Sequence, residues 1–308
     1  MRIAVSGAGA MGSLFGGKLS AVTEVTLLDP WAEHVATMQR DGLRIVELDG
    51  RETTVPVTAT TDPATVPEVD LVIIFVKSHG TRQASQWTSH FLAPDGLALT
   101  LQNGVGNGEM MAEVLGADRV VAGVTSHGAT LLGPGRVRHA GCGPTHIATC
   151  PEIAACLSDV AAVFEQVGFE VHLSDDLESL VWGKLIINVG INGLTAILRV
   201  PNGKLVEIPA ASALMAQAVA EAAAVCQAKG ISLPYDDPLG RVQEVARATA
   251  TNRASMLQDV LRGAPTEIGV INEAIVREGK RLSIPTPINE FIVTTIRAIE
   301  GSYAARVS

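Results

Sequence analysis

Hydrophobic positions along the chain follow two periods, and the change between them falls past the middle of the sequence. Residues 2–6, 24–29, 71–76, 97–102 and 119–125 are short runs rich in Val, Ile and Leu, which predicts β-strands. The run at 71–76 is apolar without alternation, as expected of a strand covered on both faces of a parallel sheet. Helical spacing separates the runs, at 13–20, 31–40 and 151–166. Residues 43–48 and 53–57 flank an Asp49-Gly50 turn and predict a hairpin. Residues 137–150 predict short strands that close the same sheet, after a turn at Gly133, Pro134 and Gly135, and a last strand is expected at 169–173.

Beyond residue 174 the pattern turns to long helical segments. This reading gives an α/β domain over residues 1–174 and an all-α domain over residues 175–308. The first long helix ends before Pro201, which cannot continue it. An Ala-rich helix over 210–229 stops at Gly230, a residue suited to the left-handed position that closes a helix. Ser255 with Gln258 resembles a capping box, and Thr266 reads as the cap of a helix that runs to Gly279 with Glu267 in its first turn.

The first strand leads directly into Gly7, Ala8, Gly9, Ala10, Met11 and Gly12 and then into a helical segment. In that context Gly7 permits a tight turn, Gly9 lets backbone approach a pyrophosphate, and Gly12 lets the helix pack close to the sheet. The second strand ends on Asp29, 22 residues after Gly7. That is close to the ~20-residue spacing of a ribose-binding carboxylate. The expectation is a doubly wound, Rossmann-like dinucleotide-binding domain. A carboxylate at Asp29 favours the free ribose hydroxyls of NAD over the 2′-phosphate of NADP, and the same residue also suits a cap before Pro30. Lys77 and Asn103 follow the strands at 71–76 and 97–102, at the sheet edge where such folds bind ligands. Lys77 equally reads as a solvated loop residue.

In the helical half, Lys184, Asn188 and Asn192 stand four residues apart and share one helix face among Leu185, Ile186, Ile187 and Ile191. That polar stripe can reach one small ligand, and a lysine bounded by apolar residues has its pKa lowered toward the range useful for proton transfer. A surface lysine with two solvated asparagines on an amphipathic helix fits the same spacing.

Composition narrows the classes. Hydrophobic residues make up 47% and charged residues 18%, as in a globular enzyme. A net charge of −9 argues against nucleic acid as a partner. Cys142, Cys150, Cys156 and Cys226 form no C-x-x-C pair, so free thiols in a reducing cytoplasm are expected. No uninterrupted apolar run reaches the ~18 residues of a membrane span, and the chain enters a strand at once without the regions of a signal peptide. His139 with Cys142, or His146 with Cys150, lacks a carboxylate cluster and a second pair, so no metal site is expected.

Together these stretches resemble the ketopantoate reductase (2-dehydropantoate 2-reductase) family. The resemblance rests on the glycine motif from Gly7, Val76-Lys77-Ser78, Gln102-Asn103-Gly104, the run from Lys184 to Ile197, Pro201-Asn202-Gly203, and the residues from Asn252 to Ile268. It implies a Rossmann domain holding a nicotinamide cofactor, a helical domain, and an active site in the interdomain cleft. It implies hydride transfer from NAD(P)H to the 2-keto group of ketopantoate, giving D-pantoate in cytoplasmic pantothenate biosynthesis. Apart from the resemblance, a homodimer is the common state of a soluble enzyme of this kind. By the same resemblance Lys184 is the general acid and Glu267 a carboxylate at the substrate and nicotinamide end. Gly7, Ala8, Gly9, Ala10, Met11, Gly12, Asp29, Lys77, Asn103 and Ala129 would contact cofactor. Asn103, Lys184, Asn188, Asn192, Asn202, Asn252 and Ser255 would contact substrate.

Asp29 departs from the basic residue of NADP-preferring members, so NADH is favoured. With Pro30, Trp31, Ala32, Glu33, His34 and Val35 it also resembles the NAD-dependent D-2-hydroxyacid dehydrogenase branch, which acts on branched or aromatic 2-ketoacids. A dinucleotide-binding sensor without catalysis is a third reading, opposed by the retained Lys184, Asn188 and Asn192.

Overall fold

A computed structural model describes residues 1–305; residues 306–308, the end of the expected helical domain, lie outside the described residues. The chain forms two compact units. The first comprises Met1–Gln102 and Gly106–Leu177, and the second comprises Asn103–Val105 and the chain from Glu178 onward.

The first unit contains strands β1 (Arg2–Ser6), β2 (Glu24–Leu28), β3 (Leu43–Val46), β4 (Glu52–Val55), β5 (Thr58–Thr60) and β6 (Val69–Ile74). Strands β7 (Leu92–Thr100), β8 (Val120–Thr125), β9 (Gly128–Gly133), β10 (Arg136–Gly141), β11 (Thr145–Ala148) and β12 (Val171–Ser174) follow. Its helices are α1 (Ala10–Leu19), α2 (Ala32–Asp41), α3 (Thr81–Thr88), α4 (Asn107–Leu115) and α5 (Ala154–Gln166). The main sheet has eight strands in the order β12-β11-β8-β7-β6-β1-β2-β5. All neighbouring pairs are parallel except β11 with β8.

The uninterrupted apolar runs are explained by burial on both faces. Ile3 and Val5 of β1, Leu71 and Ile73 of β6, and Leu97 and Leu99 of β7 enter the core shared with α1 and α5. The alternate residues Ala4, Val72, Ile74 and Ala98 enter the opposite core with Ala84 of α3 and Met111 of α4. The strand order reverses at β1, because the chain passes to β2 on one side and returns to β6 on the other. A crevice beyond the carboxyl end of β1 is where such sheets bind ligands.

One expectation fails. Of the short strands expected over 137–150, β11 does join the main sheet, but β10 does not; with β9, a strand the sequence did not predict, and the β3–β4 hairpin it builds a separate four-stranded sheet, ordered β4-β3-β10-β9. Alternation predicted a strand at β10 but carries no information about which sheet it joins. The second sheet covers the face of α1 turned away from the main sheet. Gly17 of α1 lies so close to it that an added Cβ would meet Leu43 at 2.6 Å and Ile45 at 3.0 Å. Leu14, Phe15, Gly16, Gly17 and Leu19 are accordingly buried, and α1 has little polar face to show.

The second unit is built from α6 (Leu177–Leu198), α7 (Lys204–Glu207), α8 (Pro209–Lys229), α9 (Pro238–Ala248), α10 (Ser255–Arg262), α11 (Asn272–Leu282) and α12 (Pro287–Gly301). Its core joins Leu185, Ile186, Val189 and Leu194 of α6 to Met215 and Val219 of α8, Ile275 of α11, and Ile292 and Ile296 of α12. A polar thread crosses this core. Glu221 accepts hydrogen bonds from the backbone N–H groups of Ile288 (2.8 Å) and Asn289 (2.9 Å), neutralising the start of α12. The Asn289 Oδ1 accepts from Asn272 Nδ2 at 3.0 Å, and the same Nδ2 reaches the Val189 carbonyl of α6 at 3.3 Å.

Both α6 and α8 are long and apolar enough to cross a membrane by length and composition, although 67% and 39% of their apolar windows are buried inside this unit. Two further expectations change here. Ser255 is the first residue of α10 and no side chain caps that helix, so the capping box does not form; Gln258 Nε2 instead donates to the Arg253 carbonyl at 2.9 Å. The helix expected from Thr266 begins only at Asn272, after a 3₁₀ turn over Ile268–Val270. Thr266 does accept the Ile268 N–H, at 3.3 Å, but Ile271 at φ −111° and ψ −98° interrupts the helical path.

Close packing also explains a glycine inside α6. A Cβ on Gly193 would stand 2.4 Å from Ile292 Cγ2 of α12. Replacing Gly193 with Ala is therefore expected to destabilise the protein by about 1–3 kcal/mol, in spite of alanine's better helix propensity. Urea denaturation checks this: an unchanged or raised midpoint would show that α12 yields at no cost.

Candidate active site

At the carboxyl end of β1 the chain turns at Gly7, whose φ of +96° and 2.5 Å separation between a built Cβ and the Val76 nitrogen leave room for no side chain. At Gly12 a Cβ would lie 1.9 Å from the Gly7 carbonyl oxygen, which holds α1 against the turn. Gly9, in contrast, has nothing within 4 Å of a Cβ, and no side chain caps the α1 N-terminus it introduces. That leaves an open backbone cradle at the positive end of a helix, which fits a dinucleotide pyrophosphate.

The cradle is braced by a residue to which the sequence alone assigns no role. His34, buried on α2, receives a hydrogen bond at Nδ1 from the Gly135 N–H at 2.8 Å, so its proton sits on Nε2. That Nε2 donates to the Ala8 carbonyl at 2.9 Å, which also accepts the Ser13 hydroxyl at 2.6 Å. Burial lowers the His34 pKa against the opposing effects of the Ala8 hydrogen bond and the Asp29 charge, which keeps this neutral tautomer in place. Trp31 stacks on the ring at 5.2 Å. Asp29 itself accepts the Trp31 N–H at 2.9 Å through Oδ1, so it both shapes the turn into α2 and presents a carboxylate at the end of β2. Ala10 and Met11 open α1, Lys77 is partly buried just after β6, and Ala129 lies in β9 opposite His139. Gln102, quoted in sequence only as part of a motif, ties two loops together by donating to the Val76 carbonyl at 2.7 Å and to Thr81 Oγ1 at 2.8 Å.

The remaining expected site residues belong to the second unit. Asn103 enters it because Gly104 and Val105 pack on the 3₁₀ turn that follows Glu267. Val105 N–H donates to the Val270 carbonyl at 3.2 Å, and a Cβ on Gly104, at φ +83°, would approach that oxygen to 2.4 Å. Glu267 is 5% exposed. Lys184, on α6, is partly buried, and burial lowers its pKa to about 8 while the Glu267 charge pulls it back up. Two residues widely separated in sequence thus act on one another electrostatically. Asn188 lies one turn beyond Lys184, and its buried Nδ2 has no hydrogen-bond partner among the described residues. The same holds for Asn202 Oδ1, although Asn202 Nδ2 donates to Thr249 Oγ1 at 2.8 Å and its N–H to the Asn252 carbonyl at 3.0 Å. Buried amide atoms without partners are what a polar ligand would satisfy. Asn192 is buried on the same helix, Ser255 is partly buried, and the Asn252 side chain is exposed.

In one unit a glycine cradle lies at the switch point of a parallel sheet with a carboxylate at the end of β2, and in the other a lysine of lowered pKa acts with a buried carboxylate; each feature is of the kind found in oxidoreductases that use a nicotinamide dinucleotide. Comparison with known proteins narrows this class. Residues 3–152 match the family described as ketopantoate reductase PanE/ApbA, and residues 176–300 match ketopantoate reductase PanE/ApbA C terminal. The chain belongs to the ketopantoate reductase family. The 2-dehydropantoate 2-reductase of Halobacterium salinarum is 38% identical over 96% of this chain and 98% of its own, and that of Pyrococcus abyssi is 33% identical over 98% and 99%. A crystal structure of a PanE/ApbA family ketopantoate reductase from Ralstonia eutropha JMP134 superposes with a TM-score of 0.92 at 36% identity, covering 99% of this chain and 100% of that one. A ternary structure of D-mandelate dehydrogenase with NADH and anilino(oxo)acetate gives a TM-score of 0.93 at 30% identity, with the same coverage.

The Lys184 environment can be tested without any substrate. Titration followed by NMR of isotope-labelled lysine is expected to centre at about 8 in the wild-type protein. In Glu267→Gln it should move lower, because the charge that favours the ammonium form is gone. A midpoint that stays in place would remove the Glu267 charge from the environment of Lys184.

Proposed function

We propose that this protein reduces the 2-keto group of ketopantoate to D-pantoate, with NADH favoured over NADPH, as a cytoplasmic step of pantothenate biosynthesis. The observation that carries the reading is the match to the ketopantoate reductase family over residues 3–152 and 176–300, in a chain that places Lys184 on α6 with its pKa lowered to about 8 by burial against the Glu267 charge. An acid of that strength is charged at neutral pH yet gives up its proton readily.

NAD(P)H, when bound, would supply the hydride that the carbonyl carbon accepts. Residues Gly7 to Gly12, with Asp29, Lys77, Asn103 and Ala129, are the ones that would hold it. As negative charge develops on the carbonyl oxygen, the Lys184 ammonium stabilises it and delivers the proton. Glu267 keeps the ammonium charged before the reaction. Asn103, Asn188, Asn192, Asn202, Asn252 and Ser255 supply neutral amide and hydroxyl groups, which orient a substrate carboxylate without adding charge to the site. Asp29 supports NADH because a carboxylate accepts ribose hydroxyls and repels a 2′-phosphate.

Asp29 and the likeness to D-mandelate dehydrogenase favour a second reading, an NAD-dependent D-2-hydroxyacid dehydrogenase acting on branched or aromatic 2-ketoacids. Initial rates of NADH and NADPH oxidation with ketopantoate, 2-ketoisovalerate, 2-ketoisocaproate and benzoylformate separate the two. Ketopantoate is expected to give the highest kcat/KM; a simpler 2-ketoacid in that place would establish the second reading.

Lys184→Ala is expected to lower kcat at least ~100-fold while cofactor still binds. Unchanged turnover would exclude Lys184 as the acid, and wild-type protein that binds cofactor but reduces none of the four acids would indicate a sensor. Wild-type reduction should also fall as pH rises through about 8, where Lys184 loses its proton. Asp29→Ala is expected to narrow the preference for NADH, and a wild-type preference for NADPH would overturn the role given to Asp29.

A further inference from the structure

In sequence, His139 and Cys142 had no third partner. The fold supplies one. His127 follows the end of β8, and the β9–β10 register sets Gly128 against Gly141, so His127 and Cys142 flank that pair from opposite strands. An irregularity in the ladder between His139 and Gly141 brings His139 to the same place. His127 Nδ1 and His139 Nε2 stand 3.1 Å apart. One ring nitrogen of each histidine and the Cys142 Sγ all lie within 4.8 Å of one another.

We propose that His127, His139 and Cys142 form a binding site for a thiophilic divalent cation of the Zn²⁺ class, completed by water at the open position.

The donor set suits that class, since two imidazoles and a thiolate are borderline-soft ligands that hard cations such as Mg²⁺ do not favour. The histidine nitrogens are already close to the roughly 3.3 Å that two ligands subtend at a tetrahedral ion with bonds of ~2.0 Å. Cys142 is exposed, so its thiol can swing in without disturbing the core. Both histidines are more than nine-tenths buried, and His127 packs edge-on against Phe15 and Phe169 at 5.7 and 4.8 Å. Among the described residues His127 Nε2 has no hydrogen-bond partner, so the far side of this ring can carry its proton while Nδ1, the nitrogen facing His139, ligates. Behind His139, the Glu47 carboxylate lies 3.8 Å from Nδ1 and is itself held by Lys18 at 2.9 Å. A carboxylate behind a ligating histidine fixes its tautomer and strengthens it as a ligand. A cation here releases the thiol proton, while the proton held between the two facing nitrogens moves to the far nitrogen of its own ring, Nε2 in the case of His127, so that both histidines ligate as neutral imidazoles. It would also tie β8 to β10 beside Ala129, the register partner of His139.

The test uses the full chain, with Co²⁺ as a spectroscopic probe and Zn²⁺ as its competitor. About one equivalent of Co²⁺ is expected to bind with a thiolate-to-cobalt absorption band, displaced by Zn²⁺, and Zn²⁺ should protect Cys142 from alkylation. Cys142→Ser, at an exposed position, should abolish the band and weaken Zn²⁺ binding at least ~100-fold, and Glu47→Gln should weaken it about 10- to 100-fold. Two controls should leave the band intact: Cys150→Ser, and His172→Asn in the neighbouring His146–His172 pair, whose rings are 5.1 Å apart. Absence of saturable binding to wild type, loss of the band in His172→Asn, or a band that survives Cys142→Ser would each overturn the proposal. His127→Asn should lose metal as well; if it fails to fold, Cys142→Ser still decides the matter.

Discussion

A lysine ammonium taken out of water is the constraint on which the helical unit depends. Burial alone would drive Lys184 toward its neutral form; the Glu267 charge opposes this, and the pKa settles at about 8. Holding that balance requires both side chains on firmly placed backbone. Lys184 sits on α6, whose buried face packs against α8, α11 and α12 and whose Val189 carbonyl is bonded into the thread from Asn272 to Glu221. Glu267 sits at the entry to a 3₁₀ turn pinned by the Val105 N–H. The break in the helical path at Ile271 is part of this placement, because Glu267 is carried by the turn and not by the helix that follows.

The α/β unit solves a different problem: leaving backbone bare at the start of α1. Gly7 and Gly12 close the turn against β6 and α1, and Gly9 is left open. Such a loop has few side chains of its own to stiffen it. Stiffness comes from outside, through the neutral His34 bridging the Ala8 carbonyl and the Gly135 N–H, and through the second sheet over α1. The small sheet therefore serves two places at once. Its β9–β10 turn supports the glycine loop, and the other end of the same hairpin gathers His127, His139 and Cys142.

Much of this was legible from local pattern. The apolar runs of β1, β6 and β7, the turn after β1, the β3–β4 hairpin and the glycine that ends α8 follow from short-range sterics and from burial at period two or 3.6. The four-residue spacing put Lys184 and Asn188 on one helix face, and Asp29 lay at the end of a strand as its spacing required. What local pattern could not carry was the identity of partners far along the chain. Strand β10 alternates equally well in either sheet, and only packing on α1 selects one. Ser255 and Gln258 had the residue types of a capping box, but the chain enters α10 one residue too early for it.

Side-chain chemistry divides the same way. Residue type and spacing determined that a glycine loop, a carboxylate and a lysine were available. Only the tertiary structure decided that Glu267 acts on Lys184, that the Gly135 N–H fixes the His34 tautomer, and that His127 joins His139 and Cys142. The physical reason is that burial and electrostatic coupling are properties of neighbours in space, and these neighbours are brought together by the packing of whole elements, which the order of residues along the chain does not record.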